Sequence, residues 1–303
     1  MENNNPLFSV IIPTFNHAHL LKYALDSVLN QTYRNWEVIV VDNNSSDNTE
    51  DLVAEIKDKR ITYLKIENQG IIAKSRNIGI QKSRGTWIAF LDADDSWSNK
   101  KLEICAQKIN KHVDVIYHNL EIVTIEGYVK RKKYLNSRQI KKPILIDLLV
   151  GGNPIANSSA VVRKSMLEKI GGINESKGII AAEDYNTWLR ISFFGGKFLY
   201  IPKLLGYYSL HSNNISKRDM SRPTYNAAKD FKYLLTKEQK DKFLSNIFYI
   251  RGNYYYTKNT KNAILYFSFS LKKGDYIIIL KSLVKIINIR IISFKKYISA
   301  IKL

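Results

Sequence analysis

A single cysteine, Cys105, stands in 303 residues. That excludes an internal disulfide and fits a reducing compartment. Cys105 reads as a small apolar core residue rather than a nucleophile. No uninterrupted apolar run approaches the ~20 residues of a membrane-spanning helix. Residues 1–6 hold no basic stretch followed by an apolar core, so no leader is expected and the chain is expected in the cytoplasm. The first strand-to-helix turn has no Gly-x-Gly-x-x-Gly, which argues against a nicotinamide or flavin dinucleotide. Acids are scarce at the C-terminal end: residues 217–303 hold 19 Lys and Arg against 5 Asp and Glu, and none of those acids lies beyond residue 275. That stretch carries +14 of the net +20, so the charge needs a local explanation.

What is present in the first half is alternation. Apolar strand-like runs at 9–12, 36–41, 61–66 and 87–91 are separated by helical spacing at 19–31, 49–57 and 71–82, with Ser46 or Asp47 as N-cap of the second helix. This pitch predicts an α/β fold on a mostly parallel sheet. Three strand ends carry polar groups: Pro13-Thr14-Phe15-Asn16, Asp42-Asn43-Asn44, and Asp92-Ala93-Asp94-Asp95. Ligands of such sheets bind at these ends. The middle is less regular, with strands expected at 113–117, 121–125, 128–134 (the last two turning at Glu126-Gly127), 158–162, 198–201 and 204–210, and a helix from Glu183 to Phe194.

The acid cluster after Leu91 allows two readings. Asp is common at a strand-to-loop turn. Crowded carboxylates also repel one another, and a divalent cation with hard oxygen ligands relieves that cost.

Five blocks, in order, resemble a family 2 glycosyltransferase of the GT-A fold: residues 9–16, 41–49, 70–79 (Gly-Ile-Ile-Ala-Lys-Ser-Arg-Asn-Ile-Gly), 90–95, and Gly171-Gly172-Ile173-Asn174-Glu175 leading to Glu183-Asp184. The resemblance implies a Rossmann-like nucleotide-binding GT-A domain over 1–215 and leaves 216–303 as a basic α-helical extension. It implies that Pro13, Thr14, Asn16, Asp42, Asn44, Arg76, Asp92 and Ala93 line a nucleotide-sugar, most simply a UDP-sugar. It implies Asp94 and His211 at a Mn²⁺ or Mg²⁺ ion and Asp184 as catalytic base; Glu183, beside Asp184, and Trp97, just after the acid cluster, are expected on the acceptor side. An α-linked donor would give a β-linked product in cell-surface polysaccharide synthesis. The chain departs from the family at Asn43-Asn44, where acids are common, and at Ser209, where an Arg often precedes the histidine by two residues. It has no Gln-x-x-Arg-Trp block, so single addition is expected rather than polymerisation.

The chemistry fits the residue types. A diphosphate leaving group gathers charge that a cation neutralises, and an acceptor hydroxyl attacks better when a carboxylate takes its proton. Asp184 opens a helix, whose N-terminus favours the ionised form. As a plain helix cap it needs none of this. His17 and His19 are expected as surface residues of the first loop, and Trp97 and Trp188 fit a core as well as a sugar platform. A non-catalytic nucleotide-sugar-binding or membrane scaffold protein is the competing class; the acids at 92, 94 and 184 argue against it.

The tail departs from the α/β pattern. Residues 222–259 show helical spacing and 246–273 a helix pair. From 276 onward Lys281, Lys285, Asn288, Lys295, Ser299 and Lys302 are expected on one side of a helix, with Ile279, Leu283, Ile286, Ile287, Phe294, Ile298 and Ile301 on the other. A basic amphipathic helix over 277–303 suits an anionic membrane surface and would make the enzyme peripheral on the inner face of the cell membrane. No nucleic-acid motif accompanies it.

Overall fold

The structure is a computed structural model that describes residues 5–124, 133–135, 137–211, 214, 217–272 and 274–301. In chain order its strands are β1 (Phe8–Thr14), β2 (Trp36–Asp42), β3 (Ile61–Lys65), β4 (Trp87–Phe90), β5 (Ser96–Trp97), β6 (Val115–Thr124), β7 (Lys133–Leu135), β8 (Val161–Arg163) and β9 (Phe198–Leu210). Its helices are α1 (Ala18–Leu29), α2 (Thr49–Glu55), α3 (Ile72–Lys82), α4 (Lys101–Ala106), α5 (Ile144–Gly151), α6 (Lys164–Lys169), α7 (Glu183–Phe193), α8 (Ser221–Ala228), α9 (Lys237–Tyr255), α10 (Thr260–Leu271) and α11 (Tyr276–Ile301).

Strands β1, β2 and β4 are buried along their whole length. Apolar runs of this kind suit parallel strands covered on both faces. They pair in parallel in the order β3-β2-β1-β4, and the sheet continues as β8-β6-β9-β5, with β7 beside β6. Strand β8 runs antiparallel to β4 and β6, and β9 runs parallel to β6. Because β1, β2 and β4 point the same way, their polar C-terminal ends come out on one edge. Helix α3 lies close on β1: a Cβ at Gly79 would meet Ile11 Cγ2 at 2.6 Å. That close approach holds Arg76, one turn earlier, beside the strand ends.

Three expectations need correcting. The strands at 113–117 and 121–125 are one strand, β6. The turn at Glu126-Gly127 and the strand start at 128 lie outside the described residues. The breaks expected on either side of Pro202 are absent, because β9 continues through it. The pairing with β6 jumps from His118–Ile201 to Asn119–Leu204, so the proline sits in a bulge where no ladder N–H is needed. Helix α2 starts after Asn48 rather than Ser46 or Asp47; Asp47 instead accepts from Thr49 N and Oγ1.

The chain divides into two compact units, residues 1–141 with 154–212, and residues 142–153 with 213–303. Helix α5 therefore clusters with the C-terminal helices, on the far side of a cut at 215. The first unit holds the sheet around Phe8, Val10, Ile12, Leu25, Trp36 and Trp87. The second is helical. The expected helical stretch at 222–259 is broken by a 3₁₀ segment, Lys229–Leu234, and α9 restarts on a capping box of Thr236 and Gln239. Ala263 and Phe267 of α10 and Ile286 and Ile289 of α11 form its core.

Candidate functional site at the strand ends

The ends of β1 and β2 are tied together by their own loops. Asn16 and Asn44 have φ of 53° and 55°, a left-handed conformation that asparagine tolerates better than most residues. Asn16 N donates to Ser45 Oγ at 2.8 Å, and Ser46 N donates to Asn16 Oδ1 at 2.8 Å. Pro13 and Thr14 are buried at the end of β1, and Thr14 Oγ1 is a buried hydroxyl with no hydrogen-bond partner among the described residues. Asp42 is fully buried. Its oxygens accept from Ser45 N, from Ser45 Oγ, and from Tyr63 OH at 2.7 Å. Asp42 thus already holds three donors at the end of β2. Burial, and then the bond to Asp42, push the Tyr63 hydroxyl well above its ordinary value, so it stays a donor.

Beyond β4 the chain turns tightly, with Asp95 N donating to Asp92 O at 3.0 Å. The turn sorts its side chains: Asp92 and Asp94 are partly open, while Ala93 and Asp95 are buried. Asp95 faces inward and accepts from Ser209 N of β9 at 3.0 Å. Burial, and the charges of Asp94 and Asp92, push its carboxyl well above the usual carboxylate range. Burial and then Asp92 also push Asp94 up, against a hydrogen bond from His211. That bond joins His211 Nε2 and Asp94 Oδ2 at 2.8 Å. The two residues are 117 apart in sequence, so only the fold brings them together. Of the His211 motif, Ser212 and Asn213 lie outside the described residues.

Arg76 is the central contact. Only 4% of its side chain is exposed. Nη2 donates to Asp92 Oδ1 at 2.7 Å, and Nη1 donates to Glu183 Oε1 at 2.6 Å. Burial disfavours the guanidinium charge, but Asp92 and Glu183 outweigh it, so Arg76 stays charged. One planar fork thus joins the acid turn to the start of α7, where Asp184 follows Glu183 in the first turn. Asp184 is partly open, and its Oδ1 accepts from Tyr185 N at 2.6 Å. Asn77, next to Arg76, donates to Ile173 O at 2.8 Å and accepts from Ile173 N at 2.8 Å. The loop passes Gly172 at φ 77°, and a Cβ there would lie 2.9 Å from Asn77 Oδ1.

The two acceptor-side expectations come out differently. Glu183 is 5% exposed and committed to Arg76, so it braces the site. Trp97 is 4% exposed. Its Nε1 donates to Ser158 O at 2.8 Å, and Lys101 Nζ sits 3.4 Å from its ring centroid. A ring so enclosed presents no face to an acceptor, and Trp97 is a core residue. Sequence reasoning also missed His17, which is no plain surface residue. Its ring lies 5.9 Å from that of His211, edge to face. Burial lowers its basicity, against the charge of Asp94.

The sequence profile of the family described as Glycosyl transferase family 2 matches residues 9–171. An Escherichia coli protein, UDP-Glc:alpha-D-GlcNAc-diphosphoundecaprenol beta-1,3-glucosyltransferase WfgD, is 33% identical over 186 residues, covering 61% of this chain and 69% of that one. The crystal structure of S. aureus TarS in complex with UDP-GlcNAc superposes with a TM-score of 0.61 at 19% identity, over 93% of this chain and 88% of that one. The mannosyltransferase PcManGT from Pyrobaculum calidifontis, in complex with GDP-Man and Mn²⁺, superposes with a TM-score of 0.55 at 18% identity, over 90% and 77%.

Proposed function

The chain belongs to glycosyl transferase family 2 and is a glycosyltransferase of the GT-A fold, and from that premise we propose that it moves one sugar from a UDP-sugar to a hydroxyl of a lipid-linked or glycan acceptor in polysaccharide synthesis. The observation that carries this reading is the Arg76 fork, which joins the acid turn to the helix bearing Asp184. A donor site and a proton acceptor are thereby held against one another. Two relatives support the substrate classes: one is named for UDP-Glc and a diphosphoundecaprenol acceptor, and another was crystallised with UDP-GlcNAc.

Asp94 and His211 are the proposed holders of a divalent cation, Mn²⁺ or Mg²⁺. The donor chemistry fits: one carboxylate oxygen and one imidazole nitrogen stand 2.8 Å apart. The carboxyl is partly buried and crowded by Asp92, so a cation beside it is favoured. No cluster of three or more His, Cys, Asp or Glu that could hold a metal forms among the described residues. Phosphate oxygens of the donor complete such sites, which use one or two protein carboxylates. When bound, the ion neutralises charge on the departing diphosphate.

Pro13, Thr14, Asn16, Asn44, Asp92 and Ala93 line the nucleotide in this reading, and Asp42 shapes the base pocket through Ser45 and Tyr63. Asp184 takes the proton of the acceptor hydroxyl. The acceptor oxygen then bonds to the anomeric carbon as the bond to the β-phosphate oxygen breaks, and that electron pair leaves with UDP. One displacement inverts the centre. The test pairs the purified protein and Mn²⁺ with a panel of UDP-sugars and a polyprenyl-diphosphate-linked sugar. Expected are stoichiometric UDP release and an acceptor heavier by one sugar, β-linked from an α-linked donor. A panel giving no product with any UDP-sugar refutes the donor class, and a retained α-linkage refutes the single displacement.

In this reading the helical unit docks on an anionic membrane as a peripheral protein. No helix among the described residues is long and apolar enough to cross a membrane. Helix α11 does not split into one basic and one apolar side. Ser282, Ile286 and Ile289 are buried in the unit, whereas Ile277, Leu280, Val284, Ile287 and Ile291 are exposed at a spacing of three and four. Lys281 and Arg290 are exposed on its two borders. Expected positions 295, 298 and 299 lie where no side chain is described, and 302 lies outside the described residues. An exposed apolar row edged by cations suits an interfacial helix. Leu280→Asp with Ile287→Asp touches only exposed positions, so the fold survives. Each aspartate replaces apolar area worth about 2 kcal/mol on burial, so partition into vesicles containing anionic phospholipid falls by more than about tenfold. Unchanged co-sedimentation would sink the membrane assignment.

A further inference from the structure

We propose that Asn157, on the 3₁₀ turn Asn157–Ser159, is a positioning residue that fixes the direction in which the open carboxylate oxygen of Asp92 faces the donor. The turn lies 65 residues from Asp92 in sequence and belongs to none of the blocks that mark the site. The proposal rests on the reading of Asp92 as a ribose contact.

Asp92 Oδ1 receives two donors from different elements. Arg76 Nη2 reaches it from α3 at 2.7 Å, and Asn157 Nδ2 reaches it from the 3₁₀ turn at 3.0 Å. Oδ2 accepts no hydrogen bond among the described residues, and 30% of the side chain is exposed. A carboxylate held by one donor can swing about its terminal torsion, which is broad for Asp. Held by two convergent donors on one oxygen, it cannot turn about that torsion without breaking a bond. The open oxygen is then a pure acceptor, fixed in direction and matched to a ligand hydroxyl.

The turn that carries Asn157 is itself anchored. Ser158 Oγ accepts from Asp92 N at 3.0 Å, so the backbone under Asp92 is fixed by the residue next to the one that fixes its side chain. Ser158 O accepts from Trp97 Nε1 at 2.8 Å and from the fully buried Lys101 Nζ at 3.0 Å. Lys101 Nζ makes no other hydrogen bond among the described residues, and its burial is accounted for by this bond and by the Trp97 ring against it. Asn157 thus stands on a rigid base and is the one member of the turn that touches the Asp92 carboxylate.

The chemistry predicted is selectivity for a ribose hydroxyl. Binding of UDP, 2′-deoxy-UDP and 3′-deoxy-UDP is measured by calorimetry with Mn²⁺ present, on wild type, Asn157→Ala and Asn157→Leu. The leucine has nearly the size of asparagine and adds no charge, but it donates nothing. Wild type is expected to prefer UDP over one deoxy analogue by about tenfold, the worth of one hydrogen bond to a charged group. In both variants that ratio falls to about two or below. In steady state the donor KM rises about tenfold while kcat at saturating donor stays within about twofold, since the reacting atoms are untouched. A wild-type ratio retained by both variants overturns the role of Asn157. Equal binding of all three ligands by wild type overturns the ribose reading of Asp92, and the proposal falls with it.

Discussion

Asp184→Asn leaves UDP binding intact and removes turnover. The substitution keeps the size of the side chain and its bond from Tyr185 N, but an amide oxygen takes no proton at neutral pH. General-base catalysis of this kind is worth about 10²–10⁴ in rate, so kcat falls by that factor. The donor affinity of the variant stays within about twofold, because the proposed contact of Asp184 is with the acceptor rather than the nucleotide. Rate measurements should use saturating donor and acceptor, with UDP affinity read separately by calorimetry. Transfer at a wild-type rate by the asparagine variant would show that another group takes the proton. Glu183 is a poor substitute, because its Oε1 is committed to the buried Arg76.

Asp94→Ala is the second large effect. Asp94 and His211 hold one another at 2.8 Å, so the alanine removes the oxygen donor of the proposed ion and leaves the imidazole alone. Lewis-acid stabilisation of a departing phosphate is worth several kcal/mol, and loss of ~4 kcal/mol is about a thousandfold in kcat/KM. The signature is in the metal titration as well as in the rate. Wild-type activity rises with Mn²⁺ and saturates, whereas the variant's residual activity barely responds. His211→Ala follows the same direction with a smaller effect, since the carboxylate remains. Full Mn²⁺-dependent turnover in Asp94→Ala would move the ion elsewhere.

The parts of this protein that were legible in the sequence are those set by local pattern. Strands β1 to β4 and helices α1 to α3 announce themselves because buried parallel strands are unbroken apolar runs and the helices between them keep a 3.6 period. The strand ends were legible for the same reason, since Asp42 and Asp92 each follow such a run. What the sequence hid is long-range. The antiparallel insertion of β8 between β4 and β6 follows from no local pattern. Nor does the meeting of Asp94 with His211. Trp97 showed why a motif neighbour misleads: it follows the acid turn in sequence, yet the two-residue strand β5 turns its indole into the core. Asn157 carried no signal, and Ser158 reads in the sequence as the start of a strand over 158–162, whereas that strand begins at Val161 and Ser158 sits on the 3₁₀ turn before it. On α11 the composition was right and the geometry was not, since apolar residues on a helix of that length serve two faces, one packed and one bare.

The neighbouring residues Arg76 and Asn77 have an implication for how such an enzyme changes over evolutionary time. Asn77 pins the chain at Ile173 and bonds Glu175, and Arg76 pins it again at Glu183. Residues 176–182 run between these two pegs, which stand on one rigid helix. Exchanges at the exposed Ser176, Lys177 and Gly178 can be absorbed locally, whereas Ile179 and Ala182 are buried and hold the entry to α7. The first half of the span can therefore be rewritten while Asp184, the proposed proton acceptor, stays in register with the acid turn. Tolerance to change and constancy of register are thereby assigned to separate stretches of one loop.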